Sequence, residues 1–280
     1  MKRLMDLVGG LLGPKKTHSH FMESGARALA EGDYQQAEKD YSKALELAEE
    51  IKAHDAVAEI YLALATITEH LDRLAVAEGH YRKAYQTYED NEDFSNAAHC
   101  LMELGALYYK QRRLPDAQQV LEYAIAIYQQ HFGSNHPGIA ESATVLADCL
   151  MAERSYAEAE KSISRAIAID ENRRAENDPA RASKLHKLGL CYDHQNKDAE
   201  AEATYQKAIA FYKLASADFT KVTAHQACAC YHDLSRFYLS RNKPNQAAPY
   251  LNEAMRLADQ YPGYLDEADL ADKTAALSKS

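Results

Sequence analysis

The chain has 280 residues, of which 46% are hydrophobic and 26% are charged, and its formal net charge at pH 7 is −10. With 49 alanines against 11 glycines, 7 prolines and no tryptophan, its composition favours helices and excludes collagen-like, disordered and disulfide-scaffold chains. The acidic balance argues against nucleic acid and anionic membranes as main partners, because both select a basic protein surface.

The first segment, MKRLMDLVGGLLGPKK, places a basic start before a short apolar run. The run is interrupted by Asp6 and reaches Lys15 and Lys16 without a small-residue cleavage site, so we do not expect a cleaved secretory signal. No stretch of the chain approaches the roughly 18 apolar residues that a membrane-spanning helix needs, and stable membrane insertion is not expected. We expect residues 1–17 to be a helix or a loose arm that covers the first of the repeats described next. The alternative is an arm that docks into another protomer or onto a membrane surface.

Six segments of the chain superimpose without gaps, beginning with GDYQQAEKDYSKALEL near residue 32. The alignment places alanine at twelve equivalent positions, in pairs seven residues apart: Ala37 and Ala44, Ala77 and Ala84, Ala117 and Ala124, Ala159 and Ala166, Ala201 and Ala208, Ala247 and Ala254. A bulky residue lies four positions after the first alanine of each pair: Tyr41, Tyr81, Leu121, Ile163, Tyr205 and Leu251. Offsets of four and seven fall on one helical face, so each segment is predicted to be a helix with one buried side.

A second amphipathic stretch precedes each of these helices. A small residue lies twelve positions before each first alanine: Gly25, Ala65, Gly105, Ala147, Gly189 and Ser235. Turn pairs separate the two stretches: Gly32–Asp33, Asp72–Arg73, Arg112–Arg113, Arg154–Ser155, Asn196–Lys197 and Asn242–Lys243. The pattern predicts a helix, a turn and a second helix, six times in succession. The small residues allow the two helices of a unit to approach each other closely.

This combination of a small residue, a bulky residue and paired alanines resembles the tetratricopeptide repeat, and the resemblance covers about residues 18 to 260. It implies an all-α fold, a right-handed superhelical α-solenoid of six helix-turn-helix units. The family's proline after the second helix is absent, and the spacing of the first alanines exceeds the family's period of about 34 residues. Longer helices account for both departures. Lengthened repeats of this kind, and the connector IYQQHFGSNHPGIAES, resemble those of kinesin light chains.

We expect repeats at about 18–52, 53–92, 93–134, 135–176, 177–218 and 219–262. Because the ends of a solenoid expose apolar surface, a cap is needed at each end. Residues 263–280, with Tyr264, Leu265 and Leu270, are predicted to form the C-terminal capping helix.

The sequence contains no glycine-rich phosphate loop, no HExxH and no GxSxG motif. The cluster HQACACYH contains His225, Cys228, Cys230 and His232, but Cys230 points away from the other three on a helix. We therefore expect a buried cysteine pair and two surface-facing histidines, with no metal site. The five scattered cysteines fit reduced thiols in a cytoplasmic protein. No cofactor and no enzymatic activity are expected, since an open solenoid groove rarely supplies a deep, partly dry pocket.

The family resemblance implies that certain positions on the first helix of each unit line a concave groove, which would be the partner-binding site. The predicted groove residues are Glu59, Leu62, Thr66, Glu69, His70, His99, Met102, Tyr109, Lys110, Glu141, Thr144, Asp148, Met151, His186, Asp193, His194, His232 and Arg236. Five histidines and five carboxylates in this set stand against two cations. We expect the groove to bind a protein or peptide segment with basic and apolar residues, and to bind it less well as acidification charges the histidines.

Two known uses of the fold match this groove poorly. The carboxylate clamp for chaperone tails needs a lysine and an asparagine where this chain has Met22 and Ala26, and kinesin light chains use a more basic groove. The first functional hypothesis is a non-enzymatic scaffold or adaptor. The alternatives are an assembly module that forms homo-oligomers through its ends or convex face, and a regulator whose superhelix responds to a ligand.

Overall fold

The computed structural model describes residues 17–172, 179–215 and 220–262. These ranges contain twelve α-helices and no strands, so the all-α prediction is confirmed. The helices are α1 (His18–Ala30), α2 (Tyr34–Glu50), α3 (His54–His70), α4 (Leu74–Asp90), α5 (Phe94–Lys110), α6 (Leu114–Phe132), α7 (Pro137–Ala152), α8 (Tyr156–Asn172), α9 (Pro179–His194), α10 (Asp198–Ala215), α11 (Lys221–Ser240) and α12 (Pro244–Gln260). The predicted N-terminal arm, except for Thr17, and the predicted C-terminal cap lie outside the described residues.

The chain divides into two compact units, Met1–Gly133 and Ser134–Ser280. Unit one contains α1 to α6, and unit two contains α7 to α12. Within each unit the helices pack as consecutive pairs, with α1 against α2, α3 against α4 and so on along the chain. Each unit is therefore built from the helix-turn-helix element that the sequence pattern predicts.

The twelve aligned alanines, which we call the register alanines, lie where the second helix of each pair is covered by neighbouring helices. All twelve have no exposed surface, whereas other alanines on the same helices, such as Ala126 and Ala203, are exposed. A larger side chain at any of the twelve positions would have to displace a packed neighbour.

The small residues on the first helices are explained by close approach to the bulky residue of the second helix. A Cβ atom on Gly105 would lie 2.5 Å from Cγ of Leu121, well inside normal contact distance. The same relation holds for Gly25 with the ring of Tyr41, at 2.7 Å, and for Gly189 with the ring of Tyr205, at 2.8 Å. The predicted close approach of the two helices at the small residue is seen at these three sites, and the residue it contacts is the bulky one sixteen positions later in the same unit.

The turn between the two helices of a pair uses the left-handed backbone conformation. Arg112, for example, has φ of 61°, and the N–H of Arg113 donates a 2.9 Å hydrogen bond to the carbonyl of Tyr108. This arrangement satisfies carbonyls that the end of a helix would leave unpaired. Lys52 and Glu92, at φ of 55° and 58°, end the second helices α2 and α4 in the same way. These helices are thus terminated by a left-handed residue, without the proline of the family pattern.

A recurring ion pair joins successive helix pairs. The glutamate after the first register alanine pairs with a basic residue in the next turn: Glu38 with Arg73, Glu78 with Arg113, and Glu160 with Lys197. The three N···O distances are 2.5, 2.8 and 2.7 Å. Each pair is partly exposed and therefore stabilises the structure by about 1 kcal/mol at most.

Candidate partner-binding surface

The predicted groove residues lie on the first helix of each pair. Ion pairs connect these helices within each unit: Lys110 on α5 with Glu69 on α3, and Lys187 on α9 with Asp148 on α7, the latter at 2.6 Å. Their exposed sides therefore adjoin one another. We call the exposed sides of α1, α3 and α5 the first-helix surface of unit one, and those of α7, α9 and α11 the first-helix surface of unit two.

The first-helix surface of unit one contains a pocket between α1 and α3, with a volume of about 420 Å³. Its lining combines apolar groups with carboxylates and one histidine: His18, Ser19, Met22, Glu23, Ala26, Tyr41, Asp55, Ala56 and Glu59. Small residues at 26 and 56 leave the space open. We call this cavity the α1–α3 pocket.

The α1–α3 pocket is electronegative. Within the described part of the chain, no cation lies within ion-pair distance of Glu23 or Glu59, while Asp55 accepts a 3.0 Å hydrogen bond from the amide of Asn91. Burial, followed by the charge of Glu59, raises the pKa of Tyr41 above its usual value. The pocket therefore offers two carboxylates to which the described residues supply no counter-charge, beside apolar side chains.

Elsewhere on this surface, the carboxylate of Glu69 has two partners. Its carboxylate accepts a 3.0 Å hydrogen bond from the hydroxyl of Tyr81 and pairs with Lys110, which is 61% exposed. His70 stacks on the ring of Tyr34, with 4.6 Å between ring centroids. Both predicted residues are thus already in contact with neighbours on adjacent helices.

In unit two, Asp193 forms a 2.8 Å ion pair with Arg241, which also contacts Asp198 at 2.6 Å. His194 stacks on Tyr156, with the ring centroids 4.2 Å apart. The first-helix surfaces of both units thus place a stacked histidine next to a paired carboxylate.

A hydrogen bond of 2.9 Å links His186 on α9 to Asp233 on α11. Burial alone would raise the pKa of Asp233, but the hydrogen bond from His186 and the charges of His186 and Arg236 outweigh it and lower the pKa. The aspartate is consequently held in its charged form beside the histidine.

The structure places most predicted groove residues where a partner could touch them, because they are exposed or half-buried: Glu59, Leu62, Thr66, Glu69, His70, His99, Tyr109, Lys110, Glu141, Thr144, Asp148, Met151, Asp193, His194 and Arg236. Met102, His186 and His232 are buried, with at most 9% of their surface exposed. These three have little surface to offer a partner.

The prediction that His225 and His232 face the surface is wrong for His232, which is 8% exposed. The reason is that α11 packs against α9, α10 and α12, so little of its circumference remains free. The two cysteines of the cluster are buried as predicted. Among the residues that the structure describes, no group of three or more histidines, cysteines and carboxylates is placed to hold a metal ion.

The sequence analysis missed a recurring charged position. Glu23, Lys187 and Asp233 each lie fourteen residues before the first register alanine of their unit. The position directly before each of them was used to select the predicted groove residues, but this one was not. Glu23 lines the pocket, and the other two form the ion pair with Asp148 and the hydrogen bond with His186. A charged residue at this offset in four of the six units, with Glu103 as the fourth, was the available signal. Because Lys187 and Arg241 pair with carboxylates there, the net charge of the first-helix surface of unit two is less negative than the predicted groove residues alone suggested.

Comparison with known proteins places this architecture in a family. The family model of the tetratricopeptide repeat matches residues 23–90, 96–172 and 140–214, which is more than half of the chain. The chain therefore belongs to the tetratricopeptide repeat family. No curated protein sequence matches the chain.

Solved structures share the fold at low sequence identity. BtubC (BKLC) from P. vanneervenii superimposes with a TM-score of 0.64 at 22% identity, covering 72% of this chain and 82% of that one. A putative kinesin light chain with nearly identical repeats from Podosopora anserina gives 0.58 at 19% identity, over 72% and 96%. The quorum sensor NprR from B. thuringiensis gives 0.61 at 14% identity, over 86% and 76%.

These matches confirm the predicted tetratricopeptide resemblance, including its similarity to kinesin light chain repeats at the level of the fold. Family and fold together indicate a protein-interaction scaffold. Within the described ranges, no helix is both long enough and apolar enough to cross a membrane.

Proposed function

We propose that the chain is a non-enzymatic scaffold whose first-helix surfaces bind a partner segment that carries basic and apolar residues. The observation that carries this proposal is the α1–α3 pocket, where apolar side chains adjoin Glu23 and Glu59, two carboxylates that have no ion-pair partner among the described residues. An aliphatic side chain buried against Met22 would contribute about 1.5–3 kcal/mol, and a neighbouring lysine or arginine would supply the missing counter-charge.

The carboxylates would act mainly on the rate of association and on specificity. Charges at the rim of a site steer an oppositely charged ligand and are screened by salt, whereas apolar contacts are not. Partner affinity should therefore fall as ionic strength rises. The exposed Glu141 would extend the same preference for basic segments to unit two.

The remaining exposed or half-buried members of the predicted set are proposed to provide further contacts on the first-helix surface of their own unit. Met151 and Leu62, both half-buried, supply adaptable apolar surface there. A cytoplasmic location is supported by the five cysteines, all of which are buried free thiols.

A peptide library tests the proposal directly. The intact chain is screened against immobilised 16-residue peptides that vary independently in net charge and apolar content. We expect selection of peptides that are both basic and apolar, tighter binding in low salt, and weaker binding at pH 5.5 than at pH 8 as surface histidines gain charge. Selection of acidic peptides would contradict the proposal, and an affinity that does not change with pH would remove the histidine contribution.

Charge-reversal variants locate the site. Replacing Glu23 and Glu59 with lysine should weaken binding of the selected peptides at least tenfold. Glu122→Lys is the matched control, because Glu122 is exposed on the second helix α6 and is not part of the pocket. If the pocket variant binds as well as the control, another surface is responsible.

A further inference from the structure

The α1–α3 pocket lies at the point where the described part of the chain begins. Its first lining residues, His18 and Ser19, follow Lys16 by only two and three positions. A segment that ends at Lys16 is therefore tethered directly beside the pocket.

The sequence of this segment has the chemistry that the pocket lacks. Residues 1–16 contain four basic side chains and a single acidic one, which gives a net side-chain charge of +3 against a chain total of −10. The basic residues flank an apolar run: Leu4, Leu7, Val8, Leu11 and Leu12. Charge complementarity with Glu23 and Glu59 and apolar complementarity with Met22 thus coincide in one segment.

We propose that residues 1–16 occupy the α1–α3 pocket of their own chain and compete there with the partner segment. This inference rests on the proposed function, since it assigns an internal competitor to the same pocket. Partner binding then requires displacement of the segment, so the chain discriminates against ligands that are only weakly basic and apolar.

The tether makes such competition effective even if the contact is weak. A short flexible connection gives an effective concentration on the order of 1 mM. If the free segment bound with a Kd of about 0.1 mM, the pocket would be occupied in roughly nine chains out of ten. The apparent affinity of any competing peptide would then be lowered about tenfold.

The test uses the full chain and a fluorescein-labelled synthetic peptide of residues 1–16, with fluorescence anisotropy as the readout. In the release variant, Lys2, Arg3, Lys15 and Lys16 are replaced by glutamate. We expect the release variant to bind the labelled peptide about tenfold more tightly than the wild-type chain does. Adding Glu23→Lys and Glu59→Lys to the release variant should abolish this binding.

Lys39→Glu provides a charge-reversal control, because Lys39 is exposed on α2 and is not part of the pocket. This variant should behave as the wild type does. Equal affinity of the peptide for the wild type and the release variant would overturn the proposal. It would also be overturned if adding Glu23→Lys and Glu59→Lys to the release variant left the affinity for the peptide unchanged. A wild-type dimer in sedimentation velocity that becomes monomeric in the release variant would show that the occupant comes from a second copy, which also overturns it.

The outcome is separable from that of the proposed function. If library-selected basic peptides bind the wild type and the release variant equally, the scaffold function stands and the internal competitor is refuted. If neither variant binds the labelled peptide or any basic library peptide, the proposed function itself fails.

Discussion

Substituting Gly105 by alanine tests whether the fold depends on the close contact between the helices of a pair. A Cβ at this position would lie 2.5 Å from Cγ and 2.7 Å from Cδ2 of Leu121, a side chain with no exposed surface. Both atoms are closer than real Cβ contacts allow, so Leu121 or the helix backbone must shift.

Two opposing contributions set the magnitude. Alanine stabilises a helix by about 1 kcal/mol relative to glycine, whereas overpacking of a well-packed core costs about 1–3 kcal/mol. The net expectation for Gly105→Ala is a loss between about 0 and 2 kcal/mol. Gly79→Ala isolates the first contribution, because Gly79 lies on α4 in the same unit with no atom within 4 Å of the added Cβ. It should gain about 1 kcal/mol.

Urea unfolding followed by far-UV circular dichroism compares the two variants with the wild type. The midpoint should rise for Gly79→Ala and stay level or fall for Gly105→Ala, with a difference of about 1–3 kcal/mol between them. Trimming Leu121 to valine should reduce the penalty of Gly105→Ala. Equal stabilisation by both alanines would refute the close-contact explanation of the small residues.

Four further outcomes follow from buried polar groups. Tyr81→Phe should lose about 1 kcal/mol in urea unfolding because it removes the hydrogen bond to Glu69, whereas Tyr205→Phe should be neutral or stabilising because its buried hydroxyl has no partner among the described residues. Burial raises the pKa of Cys228 to about 11, so an aromatic disulfide reagent at pH 8 should label it only after unfolding. Burial, and then the charge of Lys83, lowers the pKa of His80 in the folded chain. The stability that neutral His80 contributes is therefore complete above the unfolded pKa of about 6.5 and declines as the pH falls below that value. His80→Gln should make the free energy of unfolding depend less on pH between pH 7 and pH 5.

The helical framework could be predicted because it depends on residues that recur. Packing one helix against the next imposes the same restriction in every unit, so Ala77 and Ala84 have aligned equivalents throughout and are fully buried, as their equivalents are. The left-handed ends of α2 and α4, at Lys52 and Glu92, could not be predicted. Neither residue is a glycine or an asparagine, the residue types that most often take this conformation at the end of a helix.

The candidate site was predicted less well, because its properties depend on contacts between side chains that do not recur. Family positions identified Glu59 as a surface residue but gave no indication of the pocket between α1 and α3, which arises where residues 26 and 56 are small. The sequence also did not indicate which charged side chains form ion pairs with each other. Whether Asp148 is a free charge depends on Lys187, which lies 39 residues further along the chain.

Glu69 and Asp193 show how one repeat position produces different surfaces. Both lie eight residues before the first register alanine of their unit. Glu69 accepts a hydrogen bond from the hydroxyl of Tyr81. Asp193, shorter by one methylene, pairs with Arg241 instead, and the hydroxyl of Tyr205 has no partner among the described residues. Because the register residues are committed to packing, the side chains between them can vary without loss of the fold. Under the proposed function, partner specificity would therefore come from positions at which the units differ. Glu23 and Glu59 of the α1–α3 pocket, which have no ion-pair partner among the described residues, lie at such positions.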